Sequence, residues 1–250
     1  MANSYSAETS YGQRAKLGLI VPPTNTVNEA EWARMMPEGV TLHVTRMALH
    51  ADTSSAEGKK ALYTDIEKAT SDLAQAGLSV IAYGCTAGSM VQPINQLSDF
   101  MSEVSDTPAV TTAASIVGAL SALKISKISI ATPYHDALNQ HEVDFLAANG
   151  VETLAIEGLG IGGGGPHEYI QIARTPADKI KSHVLAVDHP DAEAILISCT
   201  DFPALGLIKE LEKDLGKPII TSNQATFWAA LRAADIKDTF DTFGVLLKSH

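Results

Sequence analysis

The residues with the most chemistry to offer are two cysteines, each closing an apolar run and each followed by threonine: Tyr83-Gly84-Cys85-Thr86 and Ile197-Ser198-Cys199-Thr200. A thiol at the end of a buried strand, just before a helix, meets free backbone N–H groups and the positive end of the helix dipole. That setting lowers a thiol from its ordinary ~8.5 toward neutrality and makes it a nucleophile or a base. Thr86 and Thr200 read two ways, as caps of the helices that follow or as hydroxyl donors to a carboxylate. Two thiols alone do not make a zinc site, and a structural disulfide is not expected in a reducing compartment.

Two other strand ends carry polar groups. Pro22-Pro23-Thr24-Asn25-Thr26 follows the first apolar run, and Ala131-Thr132-Pro133-Tyr134 closes a later one. Asn25 is either a helix N-cap or an amide donor, and Tyr134 either a packing residue or a phenol donor. Both are neutral, so both suit a carboxylate held without a salt bridge.

Positioning these groups requires strands that end together. Apolar runs predict strands at Lys16–Val21, Val40–Met47, Leu78–Gly84, Ala109–Thr111, Lys127–Thr132, Val151–Ile156, Ala194–Ser198 and Pro218–Ile220. Helical patterns fall between them, over Val27–Met36, Ser55–Ala76, Ala87–Glu103, Ala113–Leu123, Tyr134–Asn149, Glu168–Asp188, Phe202–Leu215 and Ala225–Ala234. Val80-Ile81-Ala82 and Ala194-Ile195-Leu196-Ile197 have no polar side to show solvent, as in parallel strands covered on both faces. Strand–helix alternation then implies right-handed βαβ units and an α/β fold. Trp32, Phe202, Phe227 and Trp228 fall on helical patterns and are expected in the core.

The chain also repeats itself. Lys16–Pro23 aligns with Lys127–Tyr134, Tyr83–Thr86 with Ile197–Thr200, and Pro108–Thr111 with Pro218–Thr221, at offsets of 111, 114 and 110. Three matches in one order imply two pseudo-symmetric, flavodoxin-like parallel-sheet halves with the active site between them. The first half is read as 15–112 plus 225–250 and the second as 113–224, with 1–14 a flexible tail. Ligands of open α/β sheets bind at the carboxyl edge of the strands, so both thiols should approach one cleft from opposite sides.

Composition removes several function classes. The net charge of −11 and the absence of any long basic run leave no footprint for nucleic acid or an anionic membrane surface. No apolar run reaches the ~20 residues of a membrane span. The polar N-terminus does not read as a signal peptide, so a cytoplasmic location is expected. The eight histidines do not cluster at ligand spacing, so no metal is expected. Gly158-Leu159-Gly160-Ile161-Gly162-Gly163 satisfies a dinucleotide fingerprint only formally, because it does not open the first βαβ unit; it reads better as a mobile lid.

The four motifs together, Pro22–Thr26, Tyr83–Thr86, Ala131–Tyr134 and Ser198-Cys199-Thr200-Asp201, resemble the maleate cis–trans isomerase and arylmalonate decarboxylase branch of the aspartate/glutamate racemase superfamily. The resemblance spans essentially the whole chain after residue 14. It implies a cofactor-free enzyme acting on a small carboxylate, most simply maleate to fumarate, in a homodimer or homotetramer. Cys85 would add to the alkene as a thiolate and Cys199 would be the acid–base partner. Pro23, Asn25, Thr86, Ala87, Tyr134 and Thr200 would bind substrate. An amino-acid racemase and an arylmalonate-type decarboxylase are the alternatives; the decarboxylases keep only the second cysteine, whereas this chain has both. One departure stands out. The isomerases carry an Asn in the loop after the sixth strand, where this chain reads Gly158 to His167 without one. His167 or backbone amides would have to replace it. Asp201 is expected to favour its own helix's N-terminus as an anion.

Overall fold

The computed structural model describes residues 9–50 and 55–250, and places 20 elements among them. Most of the tail read over 1–14 lies outside these residues. The first half contains β1 (Ala15–Val21), α1 (Asn28–Met35), β2 (Val40–Arg46), α2 (Ala56–Ala74), β3 (Val80–Tyr83), α3 (Thr86–Ser89), α4 (Gln96–Ser105) and β4 (Ala109–Thr111). After α5 (Thr112–Ala122) come β5 (Lys127–Thr132), α6 (Asp136–Ala148), β6 (Glu152–Gly158), α7 (Ala177–Ala186), β7 (Ala194–Ile197), α8 (Ile208–Leu215), β8 (Ile219–Thr221), α9 (Ser222–Ala233) and α10 (Gly244–Ser249).

The strands form two four-stranded parallel sheets, ordered β2-β1-β3-β4 and β6-β5-β7-β8. The two orders are the same permutation, so the repeat in the chain is a repeat in space. β3 and β7 are central, and every residue of both is buried. Cys85 and Cys199 therefore emerge at equivalent carboxyl edges of the two sheets.

The halves meet through α5 and α9, which follow the edge strands β4 and β8 and pack against one another. Thr226 Oγ1 donates to Thr112 Oγ1 across this contact at 3.1 Å. α1 of the first half also packs on α9. There Trp32 meets Phe227 edge-to-face at 5.3 Å and its indole N–H donates to the Asn223 carbonyl at 3.1 Å. Trp32, Phe202 and Phe227 are buried as expected, while Trp228 is only partly so.

Three expected helices are shorter or broken. Ala87–Glu103 divides into α3 and α4 around Pro93. Glu168–Asp188 becomes a 3₁₀ turn at Pro166–Gln171 followed by α7 after Pro176. Phe202–Leu215 begins as a helix only at Ile208, beyond Pro203 and a second 3₁₀ turn. In each case proline lacks the N–H an uninterrupted helix needs. The C-terminal α10, absent from the sequence reading, buries Leu246 and Leu247. No helix among the described residues is long and apolar enough to cross a membrane.

Candidate active site

The ends of β3 and β7 open on a cavity of about 480 Å³ between the halves. Cys85, Cys199, Asn25, Thr86, Ala87, Tyr134 and Thr200 all line it, so one cleft gathers most of the residues singled out from sequence. Pro23 is the exception. It is exposed and outside the lining, because the turn after β1 directs Pro22 and Asn25 inward instead. His167 is likewise exposed and does not reach the cavity.

The two thiols sit in different backbone settings. Cys85 is extended, with φ −143°, and its Sγ accepts the Gly88 N–H at 3.4 Å. A side chain at Gly88 would collide with the Tyr83 hydroxyl, which favours the Cys85 thiolate. Cys199 has φ 112°, a region that strains any residue with a Cβ. Its Sγ accepts the Asp201 N–H at 3.4 Å, and the nearby Tyr134 hydroxyl favours its thiolate.

Burial raises both thiols above the ordinary range, Cys199 to about 12, and outweighs the donors that oppose it. This corrects the expectation of thiols lowered toward neutrality. α3 is only four residues long and α8 starts nine residues after Cys199, so neither thiol meets the dipole of a long helix. Each Sγ accepts a single backbone N–H among the described residues. Burial also pushes the Tyr83 and Tyr134 hydroxyls well up, keeping both as donors.

Neither threonine caps a helix with its side chain. Thr86 Oγ1 donates to Ser222 Oγ at 3.0 Å, and the same Ser222 oxygen accepts the Cys199 N–H at 3.0 Å, linking the two turns. Thr200 Oγ1 donates to the Gly84 carbonyl and accepts from Asn25 Nδ2, both at 3.0 Å. Asn25 lies two residues before the α1 cap Val27, and its Oδ1 accepts the Val27 and Asn28 N–H groups at the start of that helix.

Asp201 serves another helix than its own. Its Oδ1 accepts from Thr26 N at 2.9 Å and Val27 N at 3.3 Å, in the other half. Glu31 returns the contact: its carboxylate accepts Leu205 N at 2.8 Å and Asn223 Nδ2 at 2.7 Å, and Asn223 Nδ2 also donates to the Thr200 carbonyl at 3.1 Å. The strained Cys199 turn is thus fastened to the first half from both sides.

The glycine-rich tract is tied down rather than free. Gly160 N and Ile161 N donate to the Tyr134 and Pro133 carbonyls at 3.0 and 2.9 Å. Gly162 N and Gly164 N donate to Glu168 Oε2, which holds that carboxyl below its ordinary value. Gly158 allows this approach, since a Cβ there would strike the Tyr134 carbonyl. Beyond the tract, Tyr169 and Ile172 reach the cavity.

Sequence reasoning missed the outer wall of Met47, Leu49, Leu62, Leu138, Tyr169 and Ile172, together with His50 and His141. These are ordinary core types with no motif to mark them. Tyr83 stood inside a quoted motif, but its hydroxyl role was hidden by the apolar strand around it. Among the described residues no lysine or arginine belongs to the lining, which offers hydroxyls, amides, backbone N–H groups and the histidines His50, His135 and His141. Among the described residues no group of three or more His, Cys, Asp or Glu is placed to hold a metal.

Known proteins resemble this arrangement throughout its length. The arylmalonate decarboxylase family matches residues 17–247. A maleate isomerase of Nocardia farcinica is 25% identical over 246 residues, covering 93% of this chain and 95% of its own. An arylmalonate decarboxylase of Bordetella bronchiseptica is 28% identical over 221 residues, covering 87% and 90%. The structure of a cysteine-to-serine variant of the Nocardia farcinica maleate cis–trans isomerase, with a covalently bound succinylcysteine intermediate, shares the fold with a TM-score of 0.83. It is 24% identical and covers 94% of this chain and 99% of that one.

Proposed function

This chain belongs to the arylmalonate decarboxylase family, and on that premise we propose that it is a two-thiol isomerase of small carboxylates, converting maleate to fumarate. The observation that carries the reading is the pair of thiols that line one cavity from equivalent strand ends of the two sheets. In this reading Cys85, the less buried thiol, adds as a thiolate to one alkene carbon. The electron pair of the double bond moves onto the neighbouring carbon and its carboxylate. The remaining C–C single bond rotates, the pair re-forms the double bond, and the thiolate leaves. Cys199, protonated at rest, is the acid–base partner whose S–H supports the developing carbanion.

The Asn25 amide and the backbone N–H groups of Thr86, Ala87 and Thr200 are proposed to hold the carboxylates, with Tyr134 beside Cys199. Buried neutral donors of this kind stabilise charge that grows during reaction without binding a dianion too firmly beforehand. The succinylcysteine recorded for the Nocardia enzyme supports a thiol-adduct route.

A second reading is favoured by the apolar outer wall, which offers space for a ring-sized substituent that maleate lacks. There the substrate is a substituted malonate, one carboxylate leaves as carbon dioxide, and Cys199 protonates the carbanion. Proton NMR of the reduced protein with maleate in deuterium oxide separates the readings. Fumarate is the expected product. No fumarate, with carbon dioxide released from a substituted malonate, would replace the first reading by the second.

A further inference from the structure

We propose that Ser222 is a positioning residue for both thiols: one hydroxyl oxygen, shared between the Cys85 and Cys199 turns, sets how the two sulfurs face each other across the cleft. The inference rests on the reading of the two cysteines as partners in one reaction.

Ser222 is the first residue of α9, directly after β8, and is 0% exposed. It lies outside the cavity lining, so it acts only through what it holds. Its Oγ accepts the Thr86 hydroxyl and the Cys199 N–H, both at 3.0 Å. A hydroxyl oxygen has two lone pairs, and these two bonds use both. One reaches the residue after the first thiol, 136 positions away in the chain; the other reaches the second thiol's own peptide, 23 positions away.

The next residue completes the grip. Asn223 Nδ2 donates to the Thr200 carbonyl at 3.1 Å, so the first turn of α9 holds the backbone on both sides of the Cys199 side chain. Cys199 has φ 112°, and backbone in that region persists only where its surroundings over-determine it. α9 is itself fixed, because Thr221 and Gln224 close a capping box at its start.

The repeat shows what Ser222 adds. Continuing the alignment of Pro108–Thr111 with Pro218–Thr221 pairs Ser222 with Thr112. The Thr112 hydroxyl donates to the Tyr83 carbonyl at 3.0 Å, two residues before Cys85, and among the described residues bonds no group of the Cys199 turn. Ser222, at the equivalent place, bonds both turns. Without its oxygen a buried N–H and a buried hydroxyl lose their acceptor. Both thiols then remain but lose their alignment, and misplaced reacting groups cost rate more than binding.

The test is Ser222→Ala in the full chain, beside Thr226→Val one turn further along α9. Thr226 is equally buried and bonds Thr112 across the same helix contact, but bonds neither cysteine turn. With maleate, kcat of Ser222→Ala should fall about 10²-fold with KM within about threefold. Thr226→Val should keep kcat within about threefold. Thr86→Val breaks the shared link from its other end, so the double variant should match Ser222→Ala alone. Losses that multiply in the double variant, a loss confined to KM, or equal losses in Ser222→Ala and Thr226→Val overturn the proposal. Peptide-resolved alkylation by iodoacetamide needs no turnover. Ser222→Ala should raise the Cys199 rate about tenfold over Thr226→Val, because the turn opens locally; equal rates in the two variants overturn the proposal. Failure of the isomerase reading is seen separately, as missing fumarate from the unsubstituted protein.

Discussion

The two cysteine turns occupy equivalent places in two equivalent sheets, yet they are built differently. The Cys85 turn uses relaxed backbone, takes its tyrosine from the same strand two residues earlier, and leaves the thiol partly open to the cavity. At the Cys199 turn the backbone is strained, the tyrosine comes from the neighbouring strand's end, and hydrogen bonds accepted by Asp201 and Glu31 and donated by Asn25 and Asn223 tie it to the opposite half. The repeat explains why two thiols meet. The departures from the repeat suit the proposed roles, a nucleophile at Cys85 and a proton holder at Cys199: burial, with the charges of Asp201 and Cys85, takes Cys199 to about 12 against its donors.

The largest test of that asymmetry is to remove each sulfur in turn. Cys85→Ser should reduce turnover by about 10⁴-fold or more, since the adduct can no longer form. Cys199→Ser should cost about 10²–10⁴-fold, the range of a lost acid–base group, while intact mass still shows adduct on Cys85. Product NMR and intact mass read both outcomes.

The fastening of the second turn is tested by Glu31→Ala, which leaves the buried Leu205 N–H and Asn223 amide without their acceptor. A loss of about 2–4 kcal/mol in urea unfolding is expected. Tyr83→Phe, which removes a hydroxyl that makes no hydrogen bond to the other half, should cost only about 1 kcal/mol. Equal costs would mean the two turns are anchored alike.

A pH dependence follows from Glu142. Its carboxyl is raised in the folded protein, so the stability it contributes is fully present below its ordinary 4.5 and is lost as pH rises through about 7. On the order of 3 kcal/mol should disappear over that window. Urea midpoints from pH 4.5 to 8 should show this decline, and Glu142→Gln should flatten it. The smallest effect is expected at the first turn, where Gly88→Ala displaces the Tyr83 hydroxyl from Cys85. Turnover should fall by about tenfold, with the fold intact by circular dichroism, the scale of one lost hydrogen bond to a reacting group.

Much of this architecture was legible in residue types. Val80–Tyr83 and Ala194–Ile197 announced two-sided burial, and the repeat placed both thiols at one edge. Pro93, Pro176 and Pro203 marked the helix breaks, but the apolar periodicity on either side concealed them. What no local pattern encodes is a contact such as Asp201 to Thr26 or Glu31 to Asn223, whose partners lie about 175–190 residues apart. Burial depth was equally invisible: a strand-to-helix turn suggests a lowered thiol, and only the packing of two halves reveals that desolvation wins. The outer wall, made of ordinary apolar residues, could be identified only once its elements were assembled.

The central claim, that Cys85 ionises more easily than the more deeply buried Cys199, is tested most directly by peptide-resolved alkylation of the unsubstituted protein between pH 6 and 10. Cys85 should be modified first and with the lower midpoint, and Cys199 should lag at every pH. Modification of Cys199 first, or the same midpoint for both, would contradict the assignment of their roles.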